Sequence, residues 1–351
     1  MNTRSILFIS FSTITFFGFS QEKEKQFNIR TIAFYNVENL FDTIDDPNKY
    51  DEASPIMELK GDKFKAYKSK LNNMAMVISK LGLEKTKTSP AIIGLAEVEN
   101  RKVLEDLIAT EELKDKNYGI IHVDSPDERG IDVALLYRKQ YFKPIDHKNY
   151  ELRLWDNKGK RDYTRDQLLV SGILDDELIY FIVNHWPSRR GGEAKSSYKR
   201  EKAAWLTTQI MKEVREETPN AKIIIMGDLN DDPTNNSIKK VLNAKGKKNE
   251  VKENDIYNPM ENMFKRGFNT LKYRDNINLF DQILISSSLL TTNNEFDTYK
   301  MFKVNIFNPQ FLITKNGKYK GYPFRSFSYG SFTGGYSDHF PVYMYLIKEK
   351  K

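Results

Sequence analysis

Chemistry-bearing side chains in this chain stand at the ends of apolar runs. In IIIMGDLNDDP (residues 223–233), Asp228 and Asn230 follow four apolar residues. They are two apart, so on an extended chain both point to the same side. A carboxylate beside an amide can orient one water or one metal-bound oxygen. The plainer alternative is a polar turn closing a strand, a place that Asp and Asn often fill. In GGYSDHFPVYMYLI (334–347), Asp338 and His339 sit side by side at the entrance of an apolar run. Strand neighbours face opposite ways, so the backbone must distort if both are to serve one site. There the aspartate suits a metal and the histidine suits a base or donor.

Three more runs end the same way. TIAFYNVENLFD (31–42) and AIIGLAEVEN (91–100) supply Asn36, Glu38 and Glu97. Magnesium prefers a few oxygen ligands and retained waters, so one or two carboxylates suffice. Glu97 directly follows a buried run, where an unpaired charge is costly. YFIVNHWPSRRGG (180–192) ends in His185, with Arg189 and Arg190 four and five residues on. Imidazole and guanidinium together suit a phosphate oxygen that is gaining charge. Asp281, in FDQ (280–282), is a carboxylate able to hold a histidine ring by its far nitrogen. Arg165, in YTRDQ (163–167), is a phosphate contact or a surface arginine at a strand start. Oxygen ligands drawn from separate elements, with at least one imidazole, are what hydrolysis assisted by a hard metal requires.

The chain has 351 residues, no cysteine, 39% hydrophobic and 29% charged residues, and a formal charge of +7. A large core is therefore available. Thiolate zinc sites, thiol catalysis and disulfides are excluded. The charge is compatible with a polyanionic partner but does not demand one. Asn2, Thr3 and Arg4 precede an apolar and hydroxyl-bearing run at 6–19, too short for a comfortable membrane span. Gly18-Phe19-Ser20 then offers small residues at cleavage positions. The segment reads as a signal peptide spanning residues 1–20, with a short membrane anchor as the alternative. The protein is thus expected to be secreted or periplasmic, with one catalytic domain over 21–351.

Strands are expected at 30–36, 91–96, 118–123, 131–137, 167–174, 178–183, 223–226, 280–285 and 342–347. Residues 167–174 and 178–183 read as a hairpin across Asp175-Asp176-Glu177. Helical spacing predicts helices over 63–81 and 195–214, and Asn100 is placed to cap a third. A long acidic loop is expected at 42–62, and a short helix near Pro233. Residues 243–276, rich in Lys and Asn, read as a surface excursion, and 314–335 as a loop. In that loop Lys318, Lys320 and Arg325 interleave with Tyr319, Tyr322, Phe324 and Phe327. Such a stretch can grip a phosphate backbone and stack bases, or simply pack as an aromatic loop. No linker separates two cores, which suggests two sheets sharing one core.

The ordered set NVENL, AEVEN, NHWPS, GDLND, FDQIL and SDHFP resembles the endonuclease/exonuclease/phosphatase superfamily across about residues 30–347. The acidic loop at 42–62 resembles secreted bacterial members. The resemblance implies a four-layer α/β sandwich: two mixed β-sheets packed face to face and flanked by helices. It implies a phosphoesterase dependent on Mg2+, with Mn2+ or Ca2+ as alternatives. Asn36, Glu38, Glu97 and Asp338 would surround the metal. Asp228 would orient or deprotonate the attacking water, and Asn230 would position it or bind phosphate. His339, held by Asp281, would be base or phosphate ligand, and His185 would stabilise the pentacovalent state. Arg165, Arg189 and Arg325 are the expected substrate contacts. A monomeric nuclease acting on DNA or RNA, with no stable protein partner, is the favoured expectation. The alternatives are a phosphomonoesterase, a sphingomyelinase-like or inositol phosphatase-like enzyme, and a non-catalytic binding protein on the same fold.

Overall fold

The structure is a computed structural model that describes residues 25–156, 158–291 and 295–350. The expected signal peptide lies outside the described residues. Twelve strands form two large sheets. In chain order they are β1 (Phe27–Leu40), β2 (Ile92–Val98), β3 (Tyr118–His122), β4 (Asp132–Arg138), β5 (Phe142–Tyr150) and β6 (Gln167–Leu174). They continue as β7 (Glu177–His185), β8 (Ile223–Asp228), β9 (Ile256–Tyr257), β10 (Asp281–Ser286), β11 (Lys300–Ile306) and β12 (Val342–Glu349). The first sheet runs β11-β12-β1-β2-β4-β3 and the second β9-β10-β8-β7-β6-β5.

Both sheets are built on one plan. Each has a single parallel pair, β1 with β2 and β7 with β8, and every other pairing is antiparallel. A parallel pair needs a long crossover. Helix α1 (Lys63–Lys80) lies in the connection from β1 to β2, and α3 (Glu193–Glu217) in that from β7 to β8. Asp62 caps α1 by accepting the Lys65 amide. Asn100 caps α2 (Arg101–Ile108) by accepting the Val103 amide, as its position predicts.

The apolar runs are continuous because their strands are buried on both faces. Along β1, Ile32 and Phe34 join the core between the sheets. Ala33 and Tyr35 join the core under α1 and α2. On the second sheet, Ile224 and Met226 face the inter-sheet core, while Ile223 and Ile225 pack under α3. The result is the four-layer sandwich. β8 lies so close to β7 that a Cβ on Gly227 would stand 2.4 Å from the Asn184 carbonyl oxygen.

Three of the twelve strands escape the sequence reading: the two-residue β9, and the longer β5 and β11. All three are edge strands; β5 and β11 carry mostly half-buried or exposed side chains, and β5 contains Pro144. Edge strands tolerate both features, so their hydrophobic signal is weak. Residues 243–276 are also more than a surface excursion. They supply edge strand β9, and Tyr257 and Met260 enter the inter-sheet core.

Candidate active site

The parallel pairs end on the same side of the sandwich, and their last residues meet. Asn36 Nδ2 donates to Glu97 Oε1 at 3.1 Å and to Asp228 Oδ2 at 3.1 Å, joining the two sheets. Glu97 is the extra residue of a bulge. Ala96 and Val98 find partners on both neighbouring strands, and Glu97 does not. Its φ of 63 is strained for a glutamate. Bulges re-aim side chains next to functional sites, and here the carboxylate turns into the cleft and accepts the Asn39 amide.

The second sheet brings His185 and Asp228 to the same point. His185 Nε2 is 3.6 Å from Asp228 Oδ2 and 3.8 Å from Glu97 Oε1. The other Asp228 oxygen accepts the Asn230 amide at 3.0 Å, and Asn230 Nδ2 donates to the Trp186 carbonyl. Asn230 has a φ of 49, a conformation that asparagine tolerates. The two side chains share one cleft because the strand ends in this turn.

Antiparallel neighbours complete the group. Asp281 opens β10 opposite Asp228, and its Oδ2 is 2.7 Å from His339 Nδ1. His339 Nε2 then lies 3.9 Å from Asp228 Oδ2 and 4.0 Å from Asp338 Oδ1. Asp338 and His339 precede β12 in an irregular turn, which is the distortion the pair required. Ser337 fixes that turn by donating its hydroxyl to the Asn36 carbonyl at 2.7 Å.

The two histidines differ in charge. Burial disfavours charge on His339, but Asp281, Asp228 and Asp338 outweigh it and hold the ring well above its usual range. Burial, aided by the Arg165 and Arg129 charges, pushes His185 well below. His339 is thus an imidazolium at neutral pH and His185 a neutral ring. Asp228 is raised to about 7 by burial, opposed by His339 and reinforced by Asp281 and Glu97.

Glu97, His185 and Asp228 each offer one ligand atom, all within 4.8 Å of one another. The carboxylate oxygens suit Mg2+ or Mn2+, which prefer oxygen ligands, whereas His185 Nε2 faces two carboxylates and is no ligand while it carries the ring proton. A divalent cation would also relieve the crowding of Glu97, Asp228 and Asp281.

Several expected contacts stand elsewhere. Both Glu38 oxygens are engaged, one by Arg325 Nε at 3.1 Å and the other by the Ser326 amide at 2.6 Å. Arg325 also reaches Asp338 at 3.3 Å. Beneath them Lys70, almost fully buried, donates to Ser326 Oγ at 2.7 Å. Arg165 is buried between Asp127 and the Trp186 carbonyl, behind His185. Arg189 is turned away from the cleft. It holds Asp231, Asp232, Asn235, Glu193 and the Asn230 carbonyl. Of the three expected arginine contacts, Arg325 is about half exposed at the cleft and the other two brace the site from behind. The sequence reading also passes over Arg129. It pairs with Asp127 at 3.3 Å, is half exposed, and its charge acts on His185. Its only sequence signal is an arginine in a turn before β4, which is a weak one.

A model of the endonuclease/exonuclease/phosphatase family matches residues 31–348. No curated protein sequence matches the chain. Among solved structures, an endonuclease/exonuclease/phosphatase family protein from Bacteroides thetaiotaomicron is similar at 16% identity, with a TM-score of 0.51 over 92% of this chain and 96% of that one. D. rerio TDP2 complexed with single strand DNA product gives 14%, 0.52, 91% and 98%. A mannosyl-6-phosphatase from Bacteroides thetaiotaomicron gives 16%, 0.51, 90% and 99%. At these identities the structural likeness speaks for the fold, while the match over nearly the whole length speaks for descent: the chain belongs to the endonuclease/exonuclease/phosphatase family of phosphoester hydrolases.

Proposed function

We propose that the protein is a divalent-metal-dependent phosphodiesterase, specifically a nuclease acting on DNA or RNA. The carrying observation is a convergence at one point: Glu97, His185 and Asp228 bring one donor atom each within 4.8 Å of one another, and His339, with Asp281 on its Nδ1, sets Nε2 3.9 Å from Asp228. A neutral His185 and an imidazolium His339 flank Asp228, whose carboxyl is raised to about 7. A base works best when it titrates near the working pH. Asp228 takes the proton of the attacking water, and Asn230 helps to place that water. His339 donates from Nε2 to a phosphoryl oxygen, with Asp281 keeping the ring charged and oriented. His185 carries its proton on Nε2, which faces two carboxylates, and donates from there without charge. Glu97 and Asn36 are the first candidates to hold Mg2+, with Asp338 at the rim. When bound, the metal supplies Lewis-acid stabilisation of charge on the phosphate.

D. rerio TDP2, similar in fold, is described with a DNA product, which favours nucleic acid as the substrate here. The mannosyl-6-phosphatase of the same fold makes a sugar phosphate the competing substrate. Against that reading, the cleft continues past Asp338 into a cavity of about 800 Å³, more room than one phosphomonoester needs.

The test is cleavage of supercoiled plasmid and of single-stranded RNA by residues 21–351, with Mg2+, with EDTA and with His339→Ala. Metal-dependent cleavage lost in both controls supports the reading. A folded protein that is inert on both with Mg2+, Mn2+ and Ca2+, yet hydrolyses sugar phosphates, overturns it. KM should also climb steeply with salt as counterion release weakens. We further propose secretion or periplasmic export through cleavage near Ser20. The N-terminal sequence of protein isolated from culture fractions checks that.

A further inference from the structure

The cavity that continues from the cluster has Asp338 and Arg325 in its wall. Two hairpin tips help to build it. In the first, Tyr273 pairs with Asn276 and leaves Arg274-Asp275 as the turn. In the second, Ser328 pairs with Ser331 and leaves Tyr329-Gly330. The four turn residues have φ of 48, 65, 50 and 70, the left-handed pattern that two-residue hairpins demand. Asn, Asp or Gly meet that demand cheaply, whereas Arg274 and Tyr329 do so under strain. Core packing gives no reason for Tyr329, which is 90% exposed.

The tyrosines of this wall form a set. Tyr329 Oη lies 3.2 Å from Tyr319 Oη, and the Tyr319 and Tyr322 rings meet edge to face at 5.5 Å. Tyr322 donates to Asp275 Oδ1 at 2.7 Å, which ties the two walls together. Lys272, Arg274 and Lys318 line the same space, and none makes an ion pair among the described residues. They lie instead over the Tyr322, Tyr273 and Tyr319 rings at 5.6, 5.2 and 5.8 Å, and aromatic faces beside cations that no carboxylate holds suit flat rings joined by phosphates. A duplex keeps its base faces inside the stack, so only an unpaired nucleotide can present one.

We infer that this cavity is a subsite for an unpaired nucleotide flanking the scissile phosphate, and that the protein therefore prefers single-stranded nucleic acid to duplex. The inference rests on the nuclease reading. Ring stacking falls to the tyrosines, and the flanking phosphates to Lys272, Arg274 and Lys318.

The test has two arms. The first measures anisotropy of a labelled eight-nucleotide thymidylate strand and of a hairpin duplex, both in EDTA. The second measures steady-state cleavage of the same molecules in Mg2+. The variants are Tyr329→Ala and Arg274→Ala, with Tyr198→Ala on helix α3, outside the cavity, as control. Wild type should bind the single strand at least about fivefold tighter than the duplex. Tyr329→Ala should raise Kd and KM for the single strand about tenfold, with kcat within about twofold. Tyr198→Ala should change neither. Equal effects on strand and duplex, or none on either, overturn the subsite. Binding without cleavage removes the nuclease reading and leaves the subsite standing. Cleavage indifferent to Tyr329 and Arg274 does the reverse. Neither binding nor cleavage removes both.

Discussion

Replacing Glu38 with Gln separates a metal ligand from a buried structural carboxyl. Glu38 is 2% exposed, and its two oxygens are taken by Arg325 and the Ser326 amide. Burial and the Asp338 charge raise its carboxyl from 4.5 to about 7, against the pull of Lys70 and Arg325. The folded protein therefore holds this proton more tightly than the unfolded chain. Stability from this group is fully present below pH 4.5 and is lost as the pH rises through about 7. A rise from 4.5 to about 7, at 1.36 kcal/mol per pH unit, amounts to about 3 kcal/mol. Gln carries no proton to lose. In urea unfolding with EDTA present, Glu38→Gln should gain about 3 kcal/mol on wild type between pH 4.5 and pH 8. Lys70, lowered to about 8 by its burial, works in the same direction once Glu38 no longer supports its charge. A stability difference that stays flat across this range refutes the buried carboxyl. A Mg2+ affinity that collapses in Glu38→Gln refutes the separation of Glu38 from the metal.

Three other perturbations probe the remaining parts. Asp281→Asn removes the charge that keeps His339 protonated, so the alkaline limb of the kcat–pH profile should move to lower pH. At pH 8 kcat should fall about 100- to 10,000-fold, and an unmoved limb would detach His339 from the reaction. Arg189→Ala should lower stability by about 3 kcal/mol, because Asp232 loses its ion-pair partner while Asp231 keeps Arg200 at 2.6 Å, with KM for a small diester unchanged. A raised KM on a fully stable variant would place Arg189 in the substrate cleft. Glu97→Gln should raise the Mg2+ concentration for half-maximal activity at least about tenfold while the melting temperature in EDTA holds or rises, since a crowded carboxylate has gone. Unchanged Mg2+ dependence would put the metal elsewhere.

The layers of the fold are legible in the sequence because both sheets are buried on both faces. Runs such as residues 223–226 are apolar throughout, and their polar ends mark where the parallel pairs stop. The edge strands β5 and β11 carry no such mark, since one side of each meets solvent. The site divides in the same way. Asn36, Glu97, His185, Asp228, Asp281 and His339 sit where an apolar run meets a polar residue, and the structure brings all six together. Glu38 shares that local signature, but its backbone at φ 49 turns it toward Arg325, a partner 287 residues away. Arg189 reads as a phosphate ligand beside His185, yet the acidic turn after Asn230 claims it. Local sequence carries the type and spacing of a group, whereas its partner depends on which distant loop folds over it.

The arrangement of the cluster bears on how the two sheets cooperate. Asn36 and Glu97 belong to one sheet, while His185, Asp228 and Asp281 belong to the other. His339 reaches the second sheet from the turn that precedes β12. Two hydrogen bonds of the cluster cross the gap, Asn36 to Asp228 and His339 to Asp281. Both span the inter-sheet core, so the alignment of base and metal ligands is set by how closely the sheets pack. At Gly94 a Cβ would stand 2.6 Å from Met226 Sδ across that core. A close approach at Gly94 on β2, three residues before the bulged Glu97, keeps the ends of β2 and β8 near enough for one amide to touch both carboxylates. Catalytic geometry in this protein is thus a property of core packing, and the polar residues at the strand ends report how well the two sheets fit.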